Sequence, residues 1–449
     1  MNKLFIETLG CPKNFNDSEG IAGIWERAGL TVTQSVDEAD VILVNTCGFI
    51  NDAKTESIDC IFDMIRFIHD KSQGKTPAKR YPLLVVSGCL SERYAEDMFL
   101  EIPEVDIFMG VNDYERLPEI VASHDNRCIY NSAAPEKFEE FSSRRLNDNP
   151  YSATLRIAEG CNNCCTYCVI PLIRGGYRSR PMENIIAEAE RMAASGTREI
   201  ILIAQDVTEY GYDLYGQLRL SELLRKLCEI DGLKWIRLMY CYEDKITDEL
   251  IETMAAEGKI CKYIDIPLQH VSDNVLSGMG RRSTAKSIRE TIGRLREAMP
   301  DIHIRTTFIT GFPGETEEEF AELVDFAEAY KLERLGVFPY SREEGTPAYD
   351  MSGQIEEEEK TARAESIMRR QVEVSRKVNE AKIGKVITVL VEGMDEEGAY
   401  MGRSEYDAPE IDGNVIFIDD TGRGELKPGD FAEVAIEDAF DYDLAGRRV

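Results

Sequence analysis

The sequence lacks any uninterrupted run of about 18 apolar residues, the length that a membrane-spanning helix needs. It also has no apolar stretch before Glu7, so we expect no secretory signal peptide. Basic residues are scarce: 52 Lys and Arg stand against 83 Asp and Glu, a net charge of −31. This charge disfavours general affinity for nucleic acid or an anionic membrane and suits a basic partner. The alternative is that acidity only keeps the protein soluble.

Cysteine, in contrast, is plentiful, with 12 residues in a chain of 449. The length predicts two or three domains, and a hydrophobic content of 43% is enough for ordinary cores. Without a secretion signal, so many cysteines indicate a reducing cytoplasm, where disulfides are rare. They therefore favour metal binding over a disulfide framework.

One short segment concentrates these cysteines with the spacing C-x3-C-x2-C, formed by Cys161, Cys165 and Cys168. Three such thiolates can hold three irons of a cubic iron–sulfur cluster and leave the fourth iron open to chemistry. The alternative is a zinc site, because Cys161 with Cys164, and Cys165 with Cys168, also form C-x2-C pairs. Four thiolates so close in sequence would hardly wrap a tetrahedral ion, since zinc ribbons separate their pairs. Cys164 is therefore predicted to be a bystander.

Residues 1–125 show the pattern of an α/β domain, because short apolar runs alternate with helical segments, which predicts a parallel sheet. The predicted strands are Lys3–Thr8, Val41–Asn45, Leu83–Ser87 and Asp106–Gly110.

Three further cysteines, Cys11, Cys47 and Cys89, each follow the carboxyl end of one of these strands and lie beside a glycine. In open α/β sheets, sites form in the crevice at those ends. A second three-thiolate cluster site is therefore predicted, and the alternative is three unrelated buried cysteines.

A polar linker is predicted over residues 126–149, followed by a central domain over 150–380 that contains six β/α units. Six units predict an incomplete version of the eight-unit (β/α) barrel, in which functional groups collect at the carboxyl ends of the strands. The Cys161–Cys168 loop, Gln205, Gln269 and the turn from Gly311 to Gly314 are all expected at such ends.

Residues 381–449 are predicted to form a small β-barrel, because four short strands are separated by glycine turns. Barrels of this kind often bind oligonucleotides. Residues 383–449, however, hold 17 acidic against 6 basic residues, a net charge of −11. Such a surface would repel transfer RNA and attract a basic protein. We therefore expect a substrate-recognition domain for a basic protein, the alternative being an inert acidic cap.

The sequence resembles the radical S-adenosylmethionine enzymes in its C-x3-C-x2-C loop, and its N-terminal phrases narrow that resemblance to the methylthiotransferases. The phrases are Thr8-Leu9-Gly10-Cys11-Pro12-Lys13-Asn14, Val44-Asn45-Thr46-Cys47-Gly48-Phe49-Ile50 and Gly88-Cys89-Leu90-Ser91-Glu92-Arg93-Tyr94. The resemblance covers essentially the whole chain and ends in a small C-terminal TRAM-like domain. It is greatest to the branch that modifies an aspartate of small-subunit ribosomal protein twelve.

The resemblance implies two four-iron four-sulfur clusters together with S-adenosylmethionine. The first cluster would be held by Cys161, Cys165 and Cys168, and the auxiliary one by Cys11, Cys47 and Cys89. Contacts to S-adenosylmethionine are implied at Gln205, Gln269, Arg305, Gly311 and Glu315. Tyr167 is expected to cover the cofactor because it lies in the cysteine loop, the alternative being local packing. No catalytic side chain is assigned beyond the cluster ligands.

The implied reaction adds a methylthio group to the β-carbon of an aspartate. One S-adenosylmethionine supplies a 5′-deoxyadenosyl radical and a second supplies the methyl group. The implied partners are a basic small-subunit ribosomal protein and a low-potential electron donor of the flavodoxin or ferredoxin type, in the cytoplasm, without stable nucleic-acid or membrane binding. Two alternatives stay open: the same chemistry on a transfer RNA adenosine, and a non-enzymatic iron–sulfur electron carrier.

Overall fold

Two parallel six-stranded sheets and one closed five-stranded barrel organise the chain. The computed structural model describes residues 2–72, 82–146 and 150–449. This three-part architecture confirms the predicted fold class. In the described residues, no helix combines the length and the apolar character needed to cross a membrane.

The N-terminal sheet has the strand order β2-β1-β3-β4-β5-β6, and all of its pairs are parallel. Its strands are β1 (Lys3–Thr8), β2 (Thr31–Val32), β3 (Val41–Thr46), β4 (Leu83–Gly88), β5 (Ile107–Met109) and β6 (Cys128–Tyr130). Its helices are α1 (Pro12–Arg27), α2 (Asn51–Ser72), α3 (Cys89–Glu101) and α4 (Leu117–Ala122). Strands β3 and β4 are buried along their whole length because helices cover both faces of the sheet, as is usual for parallel sheets.

The boundary predicted at residue 125 differs from the structure, because β6 completes the N-terminal sheet five residues later. A strand of three half-buried residues has too little periodicity to be recognised in a sequence. Part of the predicted linker is also folded against α1. Arg144 pairs there with Glu19, and the ring of Phe141 occupies the space that a Cβ on Gly20 would need. The linker residues 147–149 lie outside the described residues.

The central sheet has the strand order β14-β13-β12-β11-β10-β7, so each strand lies beside the next strand of this sheet along the chain. Its strands are β7 (Ser152–Arg156), β10 (Glu199–Ile203), β11 (Trp235–Leu238), β12 (Ile260–Asp265), β13 (His303–Thr310) and β14 (Arg334–Pro339). A separate two-stranded hairpin consists of β8 (Ala158–Glu159) and β9 (Arg178–Ser179).

The helices of this domain are α5 (Ile170–Arg174), α6 (Met182–Ala194), α7 (Tyr212–Tyr215), α8 (Leu220–Cys228), α9 (Asp248–Ala256), α10 (Asp273–Gly278), α11 (Ala285–Ala298), α12 (Glu317–Tyr330) and α13 (Glu357–Glu380). Helices α11 and α12 begin with capping boxes, in which Thr284 and Thr316 accept hydrogen bonds from backbone amides three residues later. Six parallel strands with intervening helices are the predicted partial barrel.

The N-terminal domain contacts both edges of this open sheet. On the β7 edge, Arg156 pairs with the buried carboxylate of Asp17 on α1, at 2.8 Å. On the β14 side, Glu343 forms ion pairs with Lys54 of α2 at 2.9 Å and with Arg93 of α3 at 3.0 Å. Because these ion pairs lie at the two ends of the sheet, the N-terminal domain bridges the opening of the partial barrel.

The C-terminal barrel covers the opposite end of the central sheet. Its strands are β15 (Val386–Met394), β16 (Tyr400–Ser404), β17 (Val415–Ile418), β18 (Phe431–Ala439) and β19 (Leu444–Arg448), the last of which the sequence did not predict. Three central-domain residues that contact it, Glu199, His303 and Arg334, are each the first residue of their strand. The barrel therefore packs on the amino ends of the strands, whereas the Cys161–Cys168 loop follows β7 and β8 at the carboxyl side.

Candidate functional site

Cys11, Cys47 and Cys89 lie at the carboxyl ends of three adjacent strands, because β1 pairs with β3 and β3 pairs with β4. Two glycines allow the loops to approach one another. A Cβ on Gly10 would lie 2.8 Å from the Cβ of Cys47, and one on Gly48 would lie 2.9 Å from the carbonyl carbon of Cys89. Side chains at these two positions would push the three cysteines apart.

The electrostatic environment of this set suits a metal cluster. Burial, together with the neighbouring thiols, raises the pKa of Cys47 to about 12. Burial likewise raises the pKa of Cys89, although the nearby guanidinium of Arg174 partly offsets this increase. Buried thiols that oppose each other's ionisation become ligands when a cluster supplies the compensating positive charge, because a coordinating thiol is deprotonated by its metal.

The second set, Cys161, Cys165 and Cys168, lies in a loop clamped between β8 and α5. The backbone amide of Cys161 donates to Gly175 at 3.1 Å. Thr166 donates its amide to Met279 and its hydroxyl to Gly278, which ties the loop to the end of α10. Burial raises the pKa of Cys161 to about 11 and that of Cys168 to about 12.

Cys164 is placed differently from its three neighbours. It is exposed, and its Sγ is oriented towards the carbonyl of Asn162 at 3.7 Å. Cys161 and Cys165 are buried, and Cys168 is half-buried. This orientation agrees with the expectation that Cys164 is a bystander.

Among the described residues, no group of three or more His, Cys, Asp or Glu side chains converges tightly enough to hold a single metal ion. This finding concerns sites in which all the ligands surround one ion, as in a zinc site. It does not count against a four-iron cluster, because each thiolate then binds a different iron at a different corner. Both cysteine sets supply the three free thiols that such a cluster takes from the protein.

A buried network of charges connects the two sets. Arg174, the last residue of α5, donates to the Sγ of Cys89 at 3.3 Å and to Asp17 at 2.8 Å. Asp17 also accepts a hydrogen bond from Arg156, and Arg156 donates a second one to Glu159 at 2.8 Å. Burial raises the pKa of Glu159, but Arg174 and Arg156 outweigh this effect and hold it at about 2. The Glu159 carboxylate is thus ionised, and the loops are fixed relative to each other.

Two of the predicted cofactor contacts carry polar atoms without protein partners. Gln205 donates from Nε2 to Glu159 at 2.7 Å, while its Oε1 is buried and unpaired within the described structure. The same is true of Oε1 of Gln269, a residue with a φ of 70° next to the carboxyl end of β12. Buried polar atoms without partners are costly, so both positions suit a polar ligand such as S-adenosylmethionine.

Tyr167 lies in the cysteine loop and packs against an apolar cluster around Phe312 and Met279. Arg305 points along the barrel interior, where it pairs with Asp265 at 3.0 Å. Tyr167 follows a strand end, whereas Arg305 is the third of the eight residues of β13, nearer the amino end of that strand than expected, and its pairing leaves less of its guanidinium for a ligand.

Gly311 and Glu315 have internal roles in the structure. The carboxylate of Glu315 is fully buried, accepts the Gly311 amide at 2.9 Å and pairs with Arg363 at 2.6 Å. Gly311 has a φ of 72°, and a Cβ there would collide with Lys360. As placed, Glu315 therefore holds the turn together and offers no free oxygen to a cofactor.

Several residues that sequence reasoning did not assign also surround the cysteines. The hydroxyl of Tyr242 lies 3.5 Å from the Sγ of Cys165. The guanidinium of Arg281 stacks on the Tyr242 ring and lies 3.9 Å from the same sulfur. Lys13 places its ammonium over Tyr240. Tyr240 and Tyr242 follow the end of β11, so the strand-end rule that identified Gln205 would have found them. No local signal points to Arg281.

One cavity lies beside the cysteine loop, whereas the largest cavity described does not. A small cavity of about 50 Å³ is lined by Cys165, Tyr242 and Arg281. The largest cavity described, about 590 Å³, lies instead between the predicted linker and α6, and none of the six cysteines lines it. We base the site on the cysteine geometry, because no cysteine lines the large cavity.

Three family models match consecutive parts of the chain. The Radical SAM superfamily model matches residues 155–327, the model of Uncharacterized protein family UPF0004 matches residues 3–110, and a TRAM domain model matches residues 383–449. The cysteine sets fall within the first two of these matches.

Curated relatives are similar over nearly the full length. The ribosomal protein uS12 methylthiotransferase RimO of Geobacter sulfurreducens is 49% identical over 99% of this chain and 98% of its own. The protein of the same name from Acetivibrio thermocellus is 45% identical over 99% of this chain and 98% of its own.

Among solved structures, the radical S-adenosylmethionine methyltransferase TsrM from Kitasatospora setae, with cobalamin and a [4Fe-4S] cluster bound, superposes with a TM-score of 0.54. The identity is 16%, covering 78% of this chain and 77% of that chain. At this identity the likeness shows a shared fold.

Proposed function

Because the chain belongs to the ribosomal protein uS12 methylthiotransferase (RimO) family, we propose that it adds a methylthio group to the β-carbon of an aspartate in that ribosomal protein. The observation that carries the proposal is the pairing of two three-cysteine loops through Arg174. An electron-carrier role would need neither a partial barrel nor two cluster sites that would each leave one iron open.

The family implies two four-iron four-sulfur clusters and S-adenosylmethionine. We propose that Cys161, Cys165 and Cys168 hold the cluster that supplies the electron for cleaving S-adenosylmethionine, and that Cys11, Cys47 and Cys89 hold the cluster that supplies sulfur. A radical is needed because the hydrogen on the β-carbon is too weakly acidic for a side-chain base to remove.

The protein's own residues then have defined tasks. Gln205 and Gln269 offer buried amide oxygens to S-adenosylmethionine. Tyr242 and Arg281 lie against Cys165 and exclude water from one side of its sulfur. Arg174 and its carboxylate partners keep the two cysteine sets at a fixed separation, so that a radical generated at one meets substrate held beside the other.

The partners follow from the same proposal. The substrate is a basic protein of the small ribosomal subunit, and the electron comes from a low-potential donor of the flavodoxin or ferredoxin type in the cytoplasm. The acidic C-terminal barrel lies at the amino ends of the central strands. Any recognition by that barrel therefore acts on a part of the substrate distant from the modified residue.

The decisive experiment compares ribosomal protein uS12 from cells with and without this gene by mass spectrometry. We expect the protein from cells with the gene to be heavier by one methylthio group replacing one hydrogen, localised to an aspartate. An unchanged protein mass, together with loss of methylthioadenosine from transfer RNA, would instead support the transfer RNA alternative. Anaerobic incubation with reductant and S-adenosylmethionine should release 5′-deoxyadenosine, which a pure electron carrier would not.

A further inference from the structure

The ammonium of Lys13 lies between the Cys11 loop of the N-terminal domain and the end of β11 in the central domain. Lys13 is two residues after Cys11, in the first turn of α1, and reaches across to the barrel. Its Nζ lies 3.4 Å from the centroid of the Tyr240 ring, directly after β11. Only 9% of the residue is exposed. In the part of the chain that the structure describes, this ammonium has no hydrogen bond or ion pair.

This arrangement is unusual, because a buried lysine normally meets an oxygen acceptor. Two other poorly exposed lysines follow the rule, whereas a third, Lys382, also has a buried ammonium without a hydrogen-bond partner among the described residues. Lys245 pairs with Asp206 and Glu209, both at 2.6 Å, and Lys360 donates to the carbonyl of Tyr340 at 3.0 Å. Lys13 has only the face of an aromatic ring, which orients a cation without neutralising it.

The carboxylates that act on Lys13 are already engaged by other groups. Asp265 accepts from Arg305 at 3.0 Å and from the backbone amide of Tyr240 at 3.0 Å. Glu159 accepts from Arg156 at 2.8 Å and from Gln205 at 2.7 Å. Neither carboxylate is therefore free to pair with Lys13, and this geometry leaves its Nζ available to an anion that enters the mouth of the barrel.

We propose that Lys13 binds the side-chain carboxylate of the substrate aspartate and makes the enzyme specific for an acidic residue. The inference rests on the proposed function. A carboxylate held by Lys13 keeps the adjoining β-carbon close to Cys11 and hence to the predicted sulfur-supplying set. Asparagine would lack the charge that the ammonium requires, and an adenosine base has no carboxylate at all.

The test measures binding rather than turnover. Cluster-loaded protein with S-adenosylmethionine, but without reductant, is titrated with fluorescent peptides of the target loop that carry either Asp or Asn at the modified position. We expect the wild-type protein to bind the Asp peptide about tenfold more tightly, the value of one charge-assisted contact. Lys13→Met should bind both peptides equally, whereas Lys13→Arg should keep most of the preference.

Lys427→Met is the matched control, since it removes the same charge from an exposed site on the C-terminal barrel. It should leave the Asp preference unchanged. Iron content is measured for each variant, and Lys13→Gln replaces Lys13→Met if the latter loses iron. An undiminished Asp preference in either neutral variant would overturn the role of Lys13.

The two proposals fail in different ways. Were wild-type protein to leave uS12 unmodified under reducing conditions, the proposed function would fail, whatever the peptides showed. If modification proceeds and Lys13→Met changes only kcat, with equal KM for Asp peptide, then Lys13 does not hold the carboxylate.

Discussion

The guanidinium of Arg174 donates a hydrogen bond to the Sγ of Cys89 at a distance of 3.3 Å. Arg174 ends the helix that begins just after Cys168, whereas Cys89 begins a helix of the N-terminal domain. One side chain thus connects the loop of one cysteine set to a member of the other. The same guanidinium also pairs with Asp17 of the N-terminal domain and lies 3.6 Å from Glu159 of the central domain, so its position is fixed from both domains.

Arg174→Met should destabilise the metal-free protein by roughly 3–5 kcal/mol, because it leaves the buried carboxylate of Asp17 with one cation instead of two and deprives Glu159 of a neighbouring charge. The measurement is the free energy of unfolding in urea. Arg191→Met, on the exposed face of α6, is the control and should stay within about 0.5 kcal/mol of the wild type. Equal stability of the two variants would show that the network contributes little.

Removal of either cysteine set should remove about half of the iron, because each set holds one of two clusters. The variants are Cys11/Cys47/Cys89→Ala and Cys161/Cys165/Cys168→Ala, analysed for iron and sulfide after anaerobic reconstitution. Cys164→Ala is the matched control and should retain all of the iron, since its thiol is exposed and oriented towards the carbonyl of Asn162. Full iron in the first variant would disprove the N-terminal site.

Much of this site could be predicted because it obeys a rule about strand ends. Cys11, Cys47 and Cys89 are far apart in sequence, but each follows a run that is recognisable as a buried strand. Adjacent parallel strands then bring the loops together. Family resemblance supplied the pairing of the two sets, which no spacing argument contains.

Other features depend on packing that no local pattern encodes. Glu315 was expected to contact a cofactor, but Arg363 on α13, almost fifty residues later, takes its carboxylate. Likewise, the acidity of the C-terminal barrel suggested a surface for the substrate, yet the barrel packs on the amino ends of the central strands through Glu199 and Arg403. Charge counts carry no information about which end of a sheet a domain covers.

Gln269→Leu should weaken binding of S-adenosylmethionine about tenfold, the effect of losing one hydrogen bond to a buried amide. The stability of the ligand-free protein should not fall, because the amide oxygen has no partner to lose. Equilibrium dialysis with cluster-loaded protein measures the affinity. Gln217→Leu, at an exposed site, is the control and should bind normally. Wild-type affinity in Gln269→Leu would remove this residue from the cofactor site.

The contact between the central sheet and the C-terminal barrel should depend on pH through Glu199. Burial raises the pKa of this carboxyl, but Arg403 and Arg237 outweigh that effect and hold it at about 2. An unfolded glutamate has a pKa of about 4.3, so the stabilisation is complete above about pH 4.3 and is lost as the pH falls towards about 2. Two pKa units correspond to roughly 3 kcal/mol at most.

Glu199→Gln provides the test, because it keeps the shape of the side chain and cannot titrate. Urea unfolding is followed between about pH 2 and pH 6, and the slope of stability against pH is compared for the two proteins. The wild type should lose stability more steeply below about pH 4.3, since only its unfolded state takes up a proton at residue 199 there. Parallel slopes would show that Glu199 is not held ionised by its two arginines.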